Sequence, residues 1–133
     1  MLDGFTLDTN IVKLRSDVWS AMQVTLDASY SAGDFIIPYS TAAICGVITA
    51  DTTSGDDAII VYKAEKIVVP CSFSTDMEAG TAIAIDAVNK EAVAITDGNA
   101  TAACGILTED ATSYDTECEI TLNGNLLPID ILT

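Results

Sequence analysis

The sequence predicts an all-β protein: a small, tulip-like β-barrel of repeated hairpins with an extended or partly helical N-terminal arm. Three observations carry that prediction. Half of the 133 residues are apolar, mostly Ala, Ile, Val and Leu, and Thr is abundant, a mixture that suits pleated, half-buried surfaces more than helices. From Val24 onward, short apolar or alternating runs are broken by turn residues about every eight to twelve positions, the rhythm of a barrel or sandwich. Finally, one stretch occurs twice: Thr41–Asp57 (TAAICGVITADTTSGDD) and Thr101–Thr116 (TAACGILTEDATSYDT) share a skeleton. Cys45, Gly46, Thr49, Asp51, Thr53, Ser54 and Asp56 match Cys104, Gly105, Thr108, Asp110, Thr112, Ser113 and Asp115.

The elements follow in order. Asp34–Pro38 reads as a strand ended by proline. Residues 44–49 and 58–63 read as strands joined by a polar turn over 51–57. Residues 67–70 make a further strand, again stopped by proline. Residues 81–86 and 91–96 flank the loop Ala87–Lys90 as a hairpin. Residues 103–108 and 117–122 repeat the earlier hairpin around a turn at 109–116. Asn123-Gly124-Asn125 reads as a tight turn into a last strand over 126–131.

Residues 1–25 differ in kind from 26–133, which form the β-rich domain. The segment holds the single Trp, two of the five basic residues and no evident partner strand. Ile11, Leu14 or Arg15, Val18 and Met22 share a helical face over 11–22. The segment is then either an ordinary first helix packed on the barrel or an arm that leaves the domain to pack on another molecule.

Charge excludes several functions. The chain has 20 acidic residues, 5 basic ones and no histidine. Such a surface repels phosphate backbones and anionic membranes, so neither nucleic acid nor membrane is an expected partner. It favours solubility among crowded copies. No stretch has signal-peptide order and no apolar run reaches membrane length, so synthesis in the cytoplasm is expected. Without histidine, general acid–base chemistry would fall to paired carboxylates such as Asp56-Asp57 or Glu109-Asp110. In so acidic a chain these read as solvated turns. The turns lack the Asp-x-Asp-x-Asp-Gly order of a calcium loop. Cys45, Cys71, Cys104 and Cys118 have no Cys-x-x-Cys spacing and read as small buried hydrophobes; a bridge between Cys104 and Cys118 across their hairpin is an open alternative. No catalytic residue, metal or cofactor is expected.

The stretch Ala82–Pro128 resembles the lambda-type head decoration (capsid-stabilising) proteins of tailed phages. The likeness lies in a strand-turn-strand AIAIDAVNKEAVAITDG, an Ala-rich approach NATAACGILTEDAT containing Gly105-Ile106-Leu107, then CEITLNG and a short strand ending in Pro. It extends more loosely to 41–70. The resemblance implies a cement protein on the outer capsid surface of the virion, trimeric at three-fold positions of the expanded shell, with the major capsid protein as partner. It also implies an N-terminal arm that orders against that protein, here with Phe5, Leu7, Ile11, Val12 and Trp19 as apolar anchors. The competing expectation is a surface module that binds glycans, for which exposed aromatics would be required. The repeat itself reads as a fold device, two equivalent hairpins closing one barrel.

Overall fold

A computed structural model describes residues 7–38 and 44–127. Nine strands form one antiparallel sheet: β1 (Lys13–Leu14), β2 (Trp19–Thr25), β3 (Phe35–Ile36), β4 (Gly46–Ile48), β5 (Asp57–Pro70), β6 (Ala82–Asp86), β7 (Glu91–Ala94), β8 (Ala102–Leu107) and β9 (Glu117–Leu127). Seven of them follow the order β3-β4-β5-β9-β8-β6-β7, while β1 and β2 pair with β5. The path curls into a nearly closed barrel. It closes where β7 meets the segment after β5: Ser72 N donates to Ala92 O (2.9 Å) and Cys71 bridges Ala92 in parallel register. Lys90 Nζ also approaches Asp34 Oδ2 to 4.0 Å.

No helix occurs among the described residues, so the helical face expected over 11–22 is not formed. The same residues give two strands instead. Trp19 to Thr25 pair with Ala64 to Asp57 along β5, with a bulge at Ser20/Ala21, and Lys13 and Leu14 pair with Val68 and Ile67. An available sheet edge overrides a short run of helical spacing, because each added residue gains ladder hydrogen bonds and buries one face. Residues 13–14 and 19–25, read from the sequence as part of the arm, are thus built into the sheet.

Two further boundaries differ. Residues 58–63 and 67–70 are one 14-residue strand with an irregularity between Ala64 and Ile67. Asn123-Gly124-Asn125 is no turn, since β9 runs through it to Leu127. Gly124 is required there for closeness: a Cβ would strike Tyr62 O and come within 2.6 Å of Cys45 O. Residues 128–131 of the expected last strand lie outside the described residues.

The register exposes a duplication longer than the repeated motif. Val24 faces Ala58 as Val69 faces Cys118; Ile36 faces Gly46 as Ile83 faces Gly105; Ile48 faces Ile60 as Leu107 faces Ile120. The unit β2-β3-β4 with the first half of β5 therefore recurs as the second half of β5 with β6, β8 and β9. The hairpin at β7 is extra in the second unit. Val24, Leu26, Ile36, Ile48, Ala58 and Ile60 form a small core of their own. Their counterparts Val69, Cys71, Ile83, Leu107, Cys118 and Ile120 all lie in the larger barrel core. Cys45 and Cys104 are equivalent residues, and their side chains touch. Equivalent groups meet only near the axis relating two copies, so the approximate two-fold passes through this pair.

The extra hairpin is held by one buried carboxylate. Asp86 is nearly inaccessible and accepts from Val88 N (3.0 Å), Asn89 N (3.1 Å) and Asn89 Nδ2 (2.8 Å). Burial pushes its pKa up, but the bonds from Asn89 and Val88 outweigh it and hold the carboxyl below its ordinary 3.8. The next corner, Lys90, takes a left-handed φ of 59°, which brings the chain back into β7.

Two outcomes are expected. Gly46 and Gly105 face carbonyls of Val61 and Thr121 so closely that an added Cβ has no room. Gly105→Ala should therefore lower unfolding free energy by about 1–3 kcal/mol, whereas Gly98→Ala, with open space around it, should stay within about 0.5 kcal/mol of the native protein; urea denaturation reads both. Asp86→Asn should lose about 1–3 kcal/mol at pH 7. Because the folded pKa is depressed, the native stabilisation is complete above about pH 4 and disappears as pH falls through the folded value. The gap between native and variant urea midpoints should then shrink at pH 3.

Candidate functional site

The doubled motif is the most conspicuous chemical feature, and its residues act as latches. Each copy folds over an arch that precedes β3 or β6. Asp51 Oδ1 accepts from Ala32 N (2.8 Å), and Asp110 Oδ1 accepts from Ala79 N (2.9 Å). Ser54 N donates to Ser29 Oγ (3.1 Å), and Ser113 N to Asp76 Oδ1 (3.0 Å). Thr49 Oγ1 and Thr108 Oγ1 donate to Ile59 O (2.9 Å) and Glu119 O (3.2 Å). Isolated bridges Tyr30↔Thr52 and Met77↔Ala111 complete the match. The arches turn at Gly33 and Gly80, whose φ values of 89° and 91° suit glycine. Sequence reading found the motif but missed its partner, since the arches share little besides Ala-Gly and lie far away in the chain.

Of the paired carboxylates, Asp110 is engaged by its bond to the arch. Asp57 is likewise engaged, accepting from Gln23 Nε2 (3.0 Å) and Thr25 Oγ1 (2.8 Å) beside an open depression along β2. A second depression, lined by Ser74, Thr75, Met77, Thr81, Ala94 and Thr96 among others, presents hydroxyls and methyls without a titratable group. Among the described residues no group of three or more His, Cys, Asp or Glu side chains converges as a metal site.

The four cysteines are buried and pair two by two, Cys45 with Cys104 and Cys71 with Cys118. The alternative pairing across the hairpin, Cys104 with Cys118, is not the contact formed. The bond to Cys45, together with burial, pushes the Cys104 thiol well up. In the other pair the interaction between the two thiols raises Cys118 and lowers Cys71. Burial and the nearby Asp115, Glu91 and Glu117 work against the lowering at Cys71.

Of the expected anchors, Phe5 lies outside the described residues. Leu7, Ile11 and Trp19 are half-buried against the barrel core, while Val12 is 0% exposed and belongs to that core. A turn at Asp8, accepting from Ile11 N (3.1 Å), Val12 N (3.0 Å) and, through Oδ1, Asn10 N (2.9 Å), holds this end. Lys13 Nζ meets Glu117 Oε2 at 2.6 Å. Leu7, Ile11 and Trp19 thus line one margin of the barrel, beside the outer edge of β5. Val12 can reach a partner only if residues around it leave β5. The large apolar side chains most open to solvent are elsewhere: Val18, Val88, Ile106 and Tyr114. Val18 and Ile106 fall on one row across the outer face, because Glu65 N donates to Val18 O, Thr121 Oγ1 donates to Glu65 O, and Thr121 pairs with Ile106.

No protein family and no curated protein matches the chain.

The latch assignment has a direct consequence. Asp51→Ala and Asp110→Ala should each cost about 0.5–1.5 kcal/mol, the net worth of one exposed hydrogen bond to the arch. Because the sites are well separated copies, the double variant should lose close to the sum. Thermal and urea melts of the three variants measure it.

Proposed function

We propose that this chain is a non-enzymatic decoration (cement) protein of a tailed-phage head, bound as trimers at three-fold positions on the outside of the expanded shell. The observation that carries the reading is the likeness of Ala82–Pro128 to the lambda-type decoration proteins. Its support is that Ala82–Leu127 folds as a contiguous block, β6 to β9. Further support comes from charge, since 20 acids against 5 bases keep many crowded copies soluble and mutually repelled. On this reading the protein is made in the host cytoplasm and resides on the virion's outer surface, with the major capsid protein as partner.

The margin carrying Leu7, Ile11 and Trp19, with Phe5 as a further expected anchor, supplies the apolar contact, and extended backbone beside β5 offers main-chain groups for strand addition. Val12 serves by holding that margin to the barrel. Affinity for the expanded shell alone shifts the shell's equilibrium toward that state. A trimer that ties several capsid subunits together multiplies modest contacts.

Sedimentation of phage-infected host lysate on a sucrose gradient tests this. Co-migration with DNA-filled heads and absence from unexpanded shells is expected; a protein that stays at the top of the gradient overturns the reading. Leu7→Asp should weaken head binding about tenfold or more, an apolar contact of roughly 1.4 kcal/mol, with an unchanged circular-dichroism spectrum. Deleting 1–25 is a poor substitute, because it removes Val12 and β2 from the fold.

One observation favours a different class. Tyr114 is 92% exposed at the tip of the second acidic turn, a placement suited to stacking on a sugar. Glycan-array binding that disappears in Tyr114→Ala would support a carbohydrate module instead.

A further inference from the structure

We infer that Cys71 and Cys118 form a reversible disulfide site, open to thiol–disulfide exchange with small-molecule disulfides such as oxidised glutathione. The placement follows from register. Val69 faces Cys118, and Cys71 N donates to Thr116 O at 2.9 Å. Cys71 is therefore the diagonal neighbour of Cys118 on the adjacent strand, on the same face. Both side chains point into the barrel core at 5% exposure, and the two thiols influence one another's ionisation.

The internal duplication shows that packing does not demand sulfur here. The equivalent places in the first unit hold Leu26 and Ala58, both buried in the smaller core. An apolar pair suffices there, whereas two thiols in contact occupy the second unit. The pair also sits at a closing seam of the barrel. Cys71 follows the last residue of β5, bridges Ala92 of β7, and sends its thiol to Asp115 O at 3.6 Å in the second acidic turn. Lifting that exposed turn opens a route to Cys71. The other pair, Cys45 and Cys104, lies deeper, at 0% and 2% exposure.

The position beneath the second acidic turn makes Cys71 the thiol that an incoming disulfide reaches first, and it attacks as the thiolate. The Cys71 thiol releases its proton to water, and its sulfur bonds to one sulfur of the glutathione disulfide, expelling a glutathione thiolate. The Cys118 thiol then loses its proton and attacks Cys71 Sγ, expelling the second glutathione. Two protein thiols are oxidised, one glutathione disulfide is reduced to two glutathiones, and the two protons reside on the products. The new bond joins β5 to β9 and closes a loop through β6, β7 and β8, which restricts the unfolded chain and should raise Tm by about 5–15 °C.

The test is exposure of the folded wild-type protein to oxidised glutathione, acid quenching, alkylation in denaturant, and mass spectrometry after trypsin and a glutamate-specific protease. The expected product is two hydrogens lighter, has Cys71 and Cys118 peptides joined with Cys45 and Cys104 alkylated, and melts higher until dithiothreitol is added. Cys118→Ala, which installs the residue found at Ala58, should stop at a single glutathione adduct on Cys71. Four alkylated cysteines after exposure overturn the inference, as does a bond joining Cys45 to Cys104 or Cys104 to Cys118. Should the variant not fold, the wild-type peptide map decides the matter alone.

Discussion

One strand has to satisfy four partners along its two edges. Along β5 the outer edge pairs first with β2 and then with β1, while the inner edge pairs first with β4 and then with β9. β4 and β9 therefore share an edge and meet end to end, where Cys45 N donates to Gly124 O at 2.8 Å. Three backbones converge at Tyr62, Cys45 and Gly124, and a side chain at Gly124 has no space. Much of the composition follows from that crowding: glycine at the crossing, small cysteines at the axis, and β-branched residues where the ladder is regular. The three-residue strand β4 is buried on both faces for the same reason, Val47 facing the barrel core and Ile48 the smaller one.

The duplicated architecture makes the differences between the units informative. Both keep the glycine-turned arch, the aspartate latch and the threonine bond to the facing strand. The second unit adds the β7 hairpin, anchored by Asp86, and that hairpin supplies the closing contact to Cys71 and Ser72. It also has β1 along the outer edge of its first strand. The largest differences between the two units therefore lie in β1 and the β7 hairpin.

The excess of acid fits this division. Carboxylates such as Asp51, Asp57, Asp76, Asp86 and Asp110 accept internal hydrogen bonds, and the exposed ones still give the surface its sign. Repulsion between exposed charges is screened beyond about 8–10 Å at physiological salt, so the barrel tolerates the net charge.

The sequence by itself determined the all-β class, the two matching hairpins and the positions of most strands, because alternation, turn chemistry and repetition are local signals carried by adjacent residues. Its errors were of one kind. Residues 11–22 have helical spacing but no helix, Asn123-Gly124-Asn125 has turn chemistry but no turn, and the strand Asp57–Pro70 was read as two pieces. In each case a partner strand distant in the chain decided the conformation, by providing ladder hydrogen bonds or by demanding a close approach. The site was legible to the same extent: Asp51 and Asp110 stand out in the motif, but their acceptor role depends on Ala32 and Ala79, some 19 and 31 residues away. The burial of Val12 and the pairing of Cys71 with Cys118 likewise belong to tertiary structure, since both depend on which strands β5 brings together.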